Sequence, residues 1–272
     1  MKGVRALIDQ DSIARFEDAG RGKGTGGSYL PWLRVQDVPS QGLSTRVEGW
    51  KTGRIHHFLS KLESMYYYVL EWSLVVTDIR EQYPLLPLEE TISIAQQCGI
   101  PHPVHPQSKK PVAFTTDFLL TVSLEGKTVT HARTVKYAAA LDVPRTLKKL
   151  EIERRYWEAR GVDWGIVTEH DIPAELSQNV KNLHESWYLA TYMPPSDLTR
   201  IIPVLTDLAQ YNRQPLRKVA TTCDLQLGFK PGTSLKVAYY LLATRQWVID
   251  LFQPIVPGEP LSLLHVDLRP VS

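Results

Sequence analysis

Two acidic residues and a lysine in the first half of the chain could together hydrolyse a phosphodiester bond. Glu63 falls in a predicted helix and Asp117 in a predicted strand. Lys136 ends the segment Thr134-Val135-Lys136 on the next predicted strand. Carboxylate oxygens are ligands that Mg²⁺ prefers, and one or two of them suffice when water and a substrate phosphate complete the coordination. The pattern predicts a metal-dependent nuclease site with a cation beside the metal, although Thr134 stands where an acid is usual.

The helix that would position Glu63 is predicted over residues 58–71. Its apolar residues recur at helical spacing, and a helical wheel places Glu63 beside Leu59, Tyr66 and Leu70 at the edge of the apolar stripe. A carboxylate in that place is costly unless a cation or a metal compensates its charge. The alternative is that Glu63 extends past the stripe into water.

The two other site residues fall on strands predicted over residues 114–123 and 128–137, which follow a strand at 74–81. Period-2 alternation puts Thr134 and Lys136 on one face, and Asp117 joins them if the two strands pair. The alternative is a solvated Asp117–Lys136 ion pair, and exposed pairs of that kind contribute only about 0–1 kcal/mol. A further helix at 144–160 and a strand at 163–168 complete an α/β core.

A glycine-rich segment at residues 20–27 contains two basic residues, Arg21 and Lys23. A nucleotide-binding loop would need a strand before it and a helix after it, and the order here is different. We therefore expect a loop that approaches DNA phosphates, with Arg21 and Lys23 supplying the charge. A plain flexible loop is the alternative.

The helix predicted at residues 144–160 is rich in basic residues. It carries Arg145, Lys148, Lys149, Arg154, Arg155 and Arg160 against Glu151, Glu153 and Glu158. These charges are typical of a solvated face with ion pairs one turn apart. They are equally compatible with a helix that flanks the DNA backbone.

Composition limits the function classes. The 31 basic residues nearly balance the 29 acidic ones, so no overall positive field draws the chain onto nucleic acid and any affinity must come from local patches. Cys98 and Cys223 form no metal or disulfide motif, which suits a reducing compartment. No apolar run approaches the roughly 20 residues of a membrane span. We expect a soluble cytoplasmic protein with no membrane partner.

The last hundred residues have a different pattern from the first 170. Helices are predicted at about 175–190, 196–210, 215–225 and 233–244, followed by short strands at 246–253 and 261–267. Three helices and a β-hairpin resemble a winged helix, which binds DNA or protein with similar ease. We therefore divide the chain into domains at 1–170 and 171–272.

Short stretches in a fixed order carry a family resemblance. They are Gly20-Arg21-Gly22, Tyr29-Leu30-Pro31-Trp32, Lys51-Thr52-Gly53-Arg54, His56-His57, Leu62-Glu63, Leu70-Glu71-Trp72, Asp78-Ile79-Arg80-Glu81-Gln82, Pro84-Leu85-Leu86-Pro87, Thr116-Asp117-Phe118, Val135-Lys136 with Ala138-Ala139-Ala140-Leu141, and Glu153-Arg154-Arg155-Tyr156-Trp157. Through them the chain resembles the TnsA family, the endonuclease subunits of heteromeric bacterial DNA transposons. The resemblance covers most of the first 170 residues and is looser over the last 80.

The resemblance implies an α/β fold with a restriction-endonuclease-like catalytic core, a mixed sheet flanked by helices, and a winged-helix-like C-terminal domain. It also implies catalytic positions at Glu63, Asp117 and Lys136. Such a protein cuts the 5′ ends of a transposon in bacterial cytoplasm, associated with the nucleoid when in complex. A TnsB-like transposase processes the 3′ ends and a TnsC-like AAA+ ATPase docks on the assembly. The targeting route, CRISPR-guided or protein-guided, stays open.

Phosphodiester chemistry suggests a role for each site residue. We expect Mg²⁺, or Mn²⁺ in its place, to be held by Asp117 as the central ligand, by Glu63 directly or through water, and by the Val135 carbonyl. A lysine that acts as general base must lose its proton near pH 7, which neighbouring carboxylates oppose. We therefore favour a charged Lys136 that orients the water and stabilises the reacting phosphate.

Other basic residues are candidates for DNA contact. They are Arg21, Lys23, Arg54, His56, His57, Lys148 and Lys149. For His56 and His57, packing ahead of the catalytic helix is the alternative. Two alternatives to the transposon endonuclease also stay open, a non-catalytic scaffold of the same complex and a stand-alone restriction-type nuclease.

Thr134 departs from the family pattern, which has a glutamine at this position. Threonine is shorter, so a direct metal contact becomes weak or passes through water. We expect the parent chain to need more Mg²⁺ for half-maximal cutting than the Thr134→Gln variant, or to prefer Mn²⁺. A metal titration of cleavage checks this, and identical curves for the two proteins would refute it.

Overall fold

The structure is a computed structural model, and it describes residues 10–37, 44–105, 108–211 and 213–268. The chain divides into two compact units, the first ending at Ile172 and the second beginning at Pro173. The first unit contains a four-stranded sheet and the residues of the predicted site. The second unit is mainly helical.

Strands and helices alternate in the first unit. In chain order they are α1 Gln10–Asp18, β1 Thr45–Glu48, β2 Ile55–Phe58, α2 Lys61–Trp72, β3 Val76–Pro84, α3 Leu88–Gln97, β4 Thr115–Leu124, β5 Lys127–Val135, α4 Pro144–Glu158 and β6 Asp163–Val167. The order of the main sheet is β3-β4-β5-β6, with β6 parallel to β5 and the other pairs antiparallel. This mixed sheet flanked by helices fits the restriction-endonuclease-like α/β core that the sequence predicts.

The register of β4 and β5 determines where the site forms. Phe118 pairs with Arg133 and Leu119 with Ala132, so Asp117 and Thr134 come next along the two strands, at the same end. Alternate residues of β4 pack against different helices. Leu119 contacts the cluster that includes Ile152 of α4, whereas the Phe118 ring packs edge-on against Tyr66 of α2. The strand end that carries Asp117 therefore lies between these two helical layers.

Two predicted boundaries near the site are wrong. The helix predicted from residue 58 begins at Lys61, because Ile55–Phe58 forms a strand and Ser60 caps the helix by accepting a hydrogen bond from the Glu63 backbone. Strand β5 ends at Val135, so Lys136 is the first residue beyond it. The backbone N–H of Lys136 still donates to the Val167 carbonyl at 3.0 Å, which keeps the lysine aligned with the sheet.

Two strands and one helix of the first unit have no counterpart in the sequence predictions. Strands β1 and β2 form an antiparallel hairpin, and each has only four residues. Helix α3 follows β3, and its Ile94 and Ala95 are buried in the same cluster as Ile152 and Trp157 of α4. Four-residue strands are too short for alternation to distinguish them from loops.

The second unit contains helices and one short strand pair. Its elements are α5 Ala174–Leu183, a 3₁₀ helix His184–Thr191, α6 Pro195–Tyr211, α7 Leu216–Leu227, α8 Thr233–Ala243, β7 Trp247–Val248 and β8 His265–Val266. The helix predicted at 175–190 changes to 3₁₀ form at His184, and the two predicted strands shrink to two residues each. In the described part of the chain, no helix is long and apolar enough to cross a bilayer.

Candidate active site

Asp117, Val135 and Lys136 form one hydrogen-bonded group at the end of β4 and β5. Oδ2 of Asp117 accepts hydrogen bonds from the Val135 N–H at 2.8 Å and from Lys136 Nζ at 2.7 Å. The same Nζ donates to the Val135 carbonyl at 2.9 Å. The Asp117 side chain is only 1% exposed, so the alternative of a solvated surface pair is wrong.

The geometry of this group suits a cation. The Asp117 carboxylate and the Val135 carbonyl both lie within hydrogen-bonding distance of one ammonium nitrogen, so the two oxygens converge on a common point. Both are hard oxygen donors of the kind that Mg²⁺ prefers. No group of three or more His, Cys, Asp or Glu side chains that could hold a metal ion occurs among the described residues.

Glu63 is buried and satisfied by neighbouring donors. It is the third residue of α2, and its carboxylate accepts hydrogen bonds from the Leu59 N–H at 2.9 Å and from Ser60 Oγ at 2.9 Å. Its own N–H donates to Ser60 Oγ, so the arrangement resembles a capping box. Glu63 is 1% exposed, and the predicted alternative in which it extends into water is wrong.

Gln82 connects Glu63 to the strand that carries Asp117. Its neighbours Glu81 and Tyr83 pair with Phe118 and Thr116, so Gln82 lies opposite Asp117 in the sheet. Its Nε2 donates to Glu63 Oε2 at 3.1 Å, and its Oε1 accepts from a threonine hydroxyl of β4 at 3.3 Å. The side chain is fully buried.

The backbone of Gln82 is strained. Its φ of 49° lies in the left-handed region, which is uncommon for residues other than glycine. Its carbonyl accepts a hydrogen bond from the Trp32 N–H, which helps to hold this conformation. Strained residues that the surroundings hold in place cluster at functional sites. Gln82 was not among the site residues predicted from the sequence.

We expect Gln82→Gly to raise the Mg²⁺ concentration for half-maximal cutting about tenfold. Glycine tolerates the left-handed backbone, so the substitution removes the amide without adding strain. Glu63 then loses one charge-assisted hydrogen bond, worth about 1.5–3 kcal/mol. A metal titration of cleavage and a direct Mn²⁺-binding titration measure the effect. Unchanged metal dependence in a folded variant would show that the amide does not position Glu63.

Glu153 is a third buried acid in this region, although the sequence predicted it only as one of the charges on a solvated or DNA-flanking helix face. Its Oε1 accepts hydrogen bonds from the hydroxyls of Thr116, at 2.7 Å, and Thr134. Burial raises the pKa of Glu153, the charge of Asp117 raises it further, and the threonine hydrogen bonds oppose both effects. The Glu153 carboxyl thus holds Thr116, which is next to Asp117 along β4, and Thr134, which lies opposite Asp117 on β5.

A signal for Glu153 was present in the sequence. It lies three residues after Leu150 and four before Trp157, and both of those residues are buried in α4. Thr134, for its part, is 2% exposed and its hydroxyl is bonded to Glu153. A contact from Thr134 to a metal stays a prediction. The structure shows that the Thr134 hydroxyl is bonded to the Glu153 carboxyl.

Arg54 and His56, two candidates for DNA contact, instead hold a buried carboxylate. Arg54 donates to both oxygens of Glu81, at 2.8 and 2.6 Å, and His56 Nδ1 lies 2.8 Å from Oε2. His56 has no exposed surface, and the Arg54 side chain is 9% exposed. The two basic side chains therefore join the β1–β2 hairpin to β3 and are not available to a phosphate in this conformation.

His57 contributes its backbone to the same Glu81 network and is half-buried. Its N–H donates to Glu81 Oε1 at 3.1 Å, and its Nδ1 accepts from the Val35 N–H at 3.3 Å. Burial lowers the pKa of His57, and the charge of Glu81 opposes that change. These contacts agree with the packing role that was the alternative for this residue.

The glycine-rich segment is anchored to the sheet. The Gly26 N–H donates to Asp78 Oδ1 at 3.1 Å, and Arg54 Nε donates to the Gly26 carbonyl. Gly22 has a φ of 74°, and a Cβ there would lie 2.5 Å from the Pro84 ring. Gly20, Gly24 and Gly26 also have positive φ, so the glycines hold a defined backbone conformation and the flexible-loop alternative does not describe the segment.

The two basic residues of this segment differ in their surroundings. Arg21 forms an ion pair with Asp37 at 2.5 Å, donates to the Trp32 carbonyl and covers the Phe16 ring at 4.0 Å. Lys23 is exposed and donates to the Glu17 carbonyl at 3.3 Å. Of these two predicted DNA contacts, only Lys23 presents its charge at an exposed position.

Comparison with known proteins finds related sequences for both units. Residues 74–169 match a family model described as "TnsA-like endonuclease N terminal", and residues 171–251 match "TnsA endonuclease C terminal". Together the two matches cover more than half of the chain. Over 184 residues, 68% of this chain, the sequence is 46% identical to "Transposon Tn7 transposition protein TnsA" of Escherichia coli. The alignment covers 66% of that protein's length, and the first model includes Asp117, Lys136 and Glu153 but begins after Glu63.

Proposed function

Because the chain belongs to the TnsA family of transposon endonucleases, we propose that it cuts DNA at the 5′ ends of a transposon by metal-dependent hydrolysis. The observation that carries this proposal is the buried Asp117, whose carboxylate converges with the Val135 carbonyl on Lys136 Nζ. A buried acid with a lysine beside it at a strand end is an arrangement that a phosphodiesterase requires and a plain scaffold does not.

The residues divide the chemical work. Asp117 and the Val135 carbonyl would hold a divalent metal, with Glu63 acting as a direct or water-mediated ligand. A bound Mg²⁺ supplies a more acidic water and stabilises charge on the phosphate and the leaving oxygen. Lys136, whose Nζ donates to the Asp117 carboxylate and to the Val135 carbonyl, would orient the attacking water and the scissile phosphate. Mn²⁺ shares the preference for oxygen ligands and is proposed as a substitute.

Glu153 and Gln82 keep the two ligand acids in place. Glu153 binds the hydroxyls beside and opposite Asp117, so it restrains both strands. Gln82 restrains Glu63 from the other side of β4. Preorganised ligands need no rearrangement when charge develops in the transition state, which is where such sites gain most of their rate.

Family membership supports a proposal for the substrate and the partner proteins. We propose transposon-end DNA as the substrate, a TnsB-like transposase that processes the 3′ ends, and a TnsC-like AAA+ ATPase as a further partner. The second unit, which includes the C-terminal family match, is proposed to contact these partners or DNA. We keep the winged-helix interpretation for its helices and its short strand pair.

A strand-resolved cleavage assay tests the proposal. DNA that carries a transposon end and its flank, labelled on each strand in turn, is incubated with the protein and Mg²⁺, with and without the two partners. We expect cutting of the 5′ strand that depends on the transposase. Cutting of unrelated DNA by the protein alone would indicate a stand-alone nuclease, and no cutting in the complete mixture would indicate a non-catalytic subunit.

A further inference from the structure

The charges of α4 are arranged differently in its two halves. In the C-terminal half, Arg154 pairs with Glu151 and Glu158 at 2.9 Å, and Arg155 pairs with Glu151 at 2.6 Å. In the N-terminal half, Arg145 and Lys148 are exposed, and neither forms an ion pair with a described residue. The first turn contains no acidic residue. The C-terminal half therefore fits a solvated face, whereas Arg145 and Lys148 in the N-terminal half carry positive charge with no acidic partner among the described residues.

The N-terminal half of α4 lies beside the candidate active site. A hollow of about 230 Å³ is bounded by Lys136, Glu153, Pro103 and Lys149, among other residues. A second hollow of about 380 Å³ shares Pro103 and Lys149 with the first, and Arg145 and Lys148 also line it. The shared residues make the two hollows adjoin. Four cations thus follow one another from the candidate site to the start of α4.

We propose that Arg145, Lys148 and Lys149 bind consecutive phosphates of the DNA beside the cut, as a track that begins at Lys136. The inference rests on the proposed function, because it takes the phosphate near Lys136 as its starting point. It deepens that function by naming the surface that holds the flanking DNA.

The position of these cations favours an anionic ligand. The N-terminus of a helix carries partial positive charge, so acidic residues are favoured there and added cations are unfavourable. Arg145, Lys148 and Lys149 all lie in the first two turns of α4, which begins at Pro144. A bound phosphate offsets both the side-chain charges and the helix dipole. Cations at this helix N-terminus are electrostatically unfavourable in the chain alone and become favourable when a polyanion is bound.

The spacing and the walls of the track favour a DNA strand. Arg145 and Lys149 are one turn apart, about 6 Å along the axis, so their long side chains can reach neighbouring phosphates of one strand. Glu153 is the acidic residue of the lining, and its carboxyl is buried and accepts hydrogen bonds from the hydroxyls of Thr116 and Thr134. A phosphate on the track would therefore meet little opposing charge.

The salt dependence of DNA binding tests the track. The full chain carries Asp117→Asn to prevent cutting, and its affinity for a short duplex is measured between about 50 and 200 mM salt. Removal of one phosphate contact lowers the salt slope by about 0.9. For Arg145→Gln with Lys148→Gln we therefore expect a slope lower by about 1.8 and an affinity roughly 60-fold lower at 0.1 M salt.

Arg154→Gln with Arg155→Gln is the matched control. It removes the same charge from the same helix, at positions already paired with Glu151 and Glu158. We expect its slope to stay within about 0.5 of the parent value, since its cations contact no phosphate. Thermal unfolding of both variants shows that the substitutions leave the fold intact, as expected for exposed side chains.

Three results would overturn the track. They are an unchanged slope in the first double variant, an equal decrease in both double variants, and a loss of partner assembly with DNA binding intact. The second would mean that only net charge matters, and the third that the surface binds an acidic protein. The binding slope does not depend on cutting, so a failure of the proposed function, seen as no cleavage by the parent chain, is distinguished from a failure of the track.

Discussion

Asp117→Asn is expected to lower 5′-strand cutting by about 10³-fold or more and to leave the first unit folded. Asparagine keeps the size of the side chain and an oxygen that can accept from the Val135 N–H. It removes the negative charge that a divalent metal requires and that fixes Lys136 at 2.7 Å. A metal contributes several kcal/mol to charge stabilisation in such reactions, which corresponds to at least this factor in rate.

The strand-resolved assay with the complete set of partners measures this loss, and circular dichroism checks the fold. Asp163→Asn is the matched control, since Asp163 is also a strand aspartate bound to a basic residue, Arg133, but its side chain is 61% exposed. We expect the control to cut at the parent rate. Parent-like cutting by Asp117→Asn would remove Asp117 from the site and leave the proposed mechanism without its central ligand.

Glu81→Gln is expected to lower the free energy of unfolding of the first unit by about 3–5 kcal/mol, because it breaks a buried ion pair from one side. Glu81 is fully buried and accepts two hydrogen bonds from Arg54, one from His56 and one from the His57 backbone. Glutamine cannot compensate the charge of Arg54, whose side chain is nearly inaccessible to water. Urea unfolding of the two proteins measures the difference.

The same residue predicts a pH dependence. Burial alone would raise the pKa of Glu81, but the charge of His56 and the hydrogen bonds from Arg54 and His56 hold it well below its ordinary value of 4.5. A carboxyl with a lowered pKa in the folded state contributes stability above its unfolded pKa and loses that contribution as the pH falls. The parent chain should therefore lose stability below about pH 4.5 more steeply than Glu81→Gln.

Glu151→Gln is the control for the urea measurement, since Glu151 also binds two arginines but lies on the surface of α4. Exposed ion pairs contribute little, so we expect its unfolding midpoint to stay close to that of the parent chain. If Glu81→Gln were as stable as this control, the buried network would not hold the hairpin to β3.

The sequence predicted those parts of the site that depend on one long strand. Alternation over β4 and β5 was sufficient to place Asp117 near Lys136. The two strands have ten and nine residues, which is long enough to show which residues share a face. The burial of Glu63 was also indicated, by the cost of a carboxylate beside an apolar stripe. Its partners were not, since Ser60 belongs to a cap and Gln82 to a distant strand.

Pairing between distant residues could not be predicted. Arg54 and His56 lie in a stretch that resembles a DNA-binding surface, and their partner Glu81 is 25 or more residues away along the chain. A sequence records how many charges there are but not which ones meet in the folded state. The helical pattern did hold a signal for Glu153, whose spacing from Leu150 and Trp157 belongs to the buried side of α4.

The Glu81 network also bears on which residues make an autonomous folding unit. The family match of the first unit begins at residue 74, whereas Arg54 and His56 come before it. Tyr29 and Trp32, from still earlier in the chain, are fully buried. A fragment that starts at residue 74 would expose apolar surface and leave Glu81 as a buried charge without its cations. The limits of this family match and the limits of independent folding therefore differ, and a catalytic fragment has to include Tyr29 and Trp32.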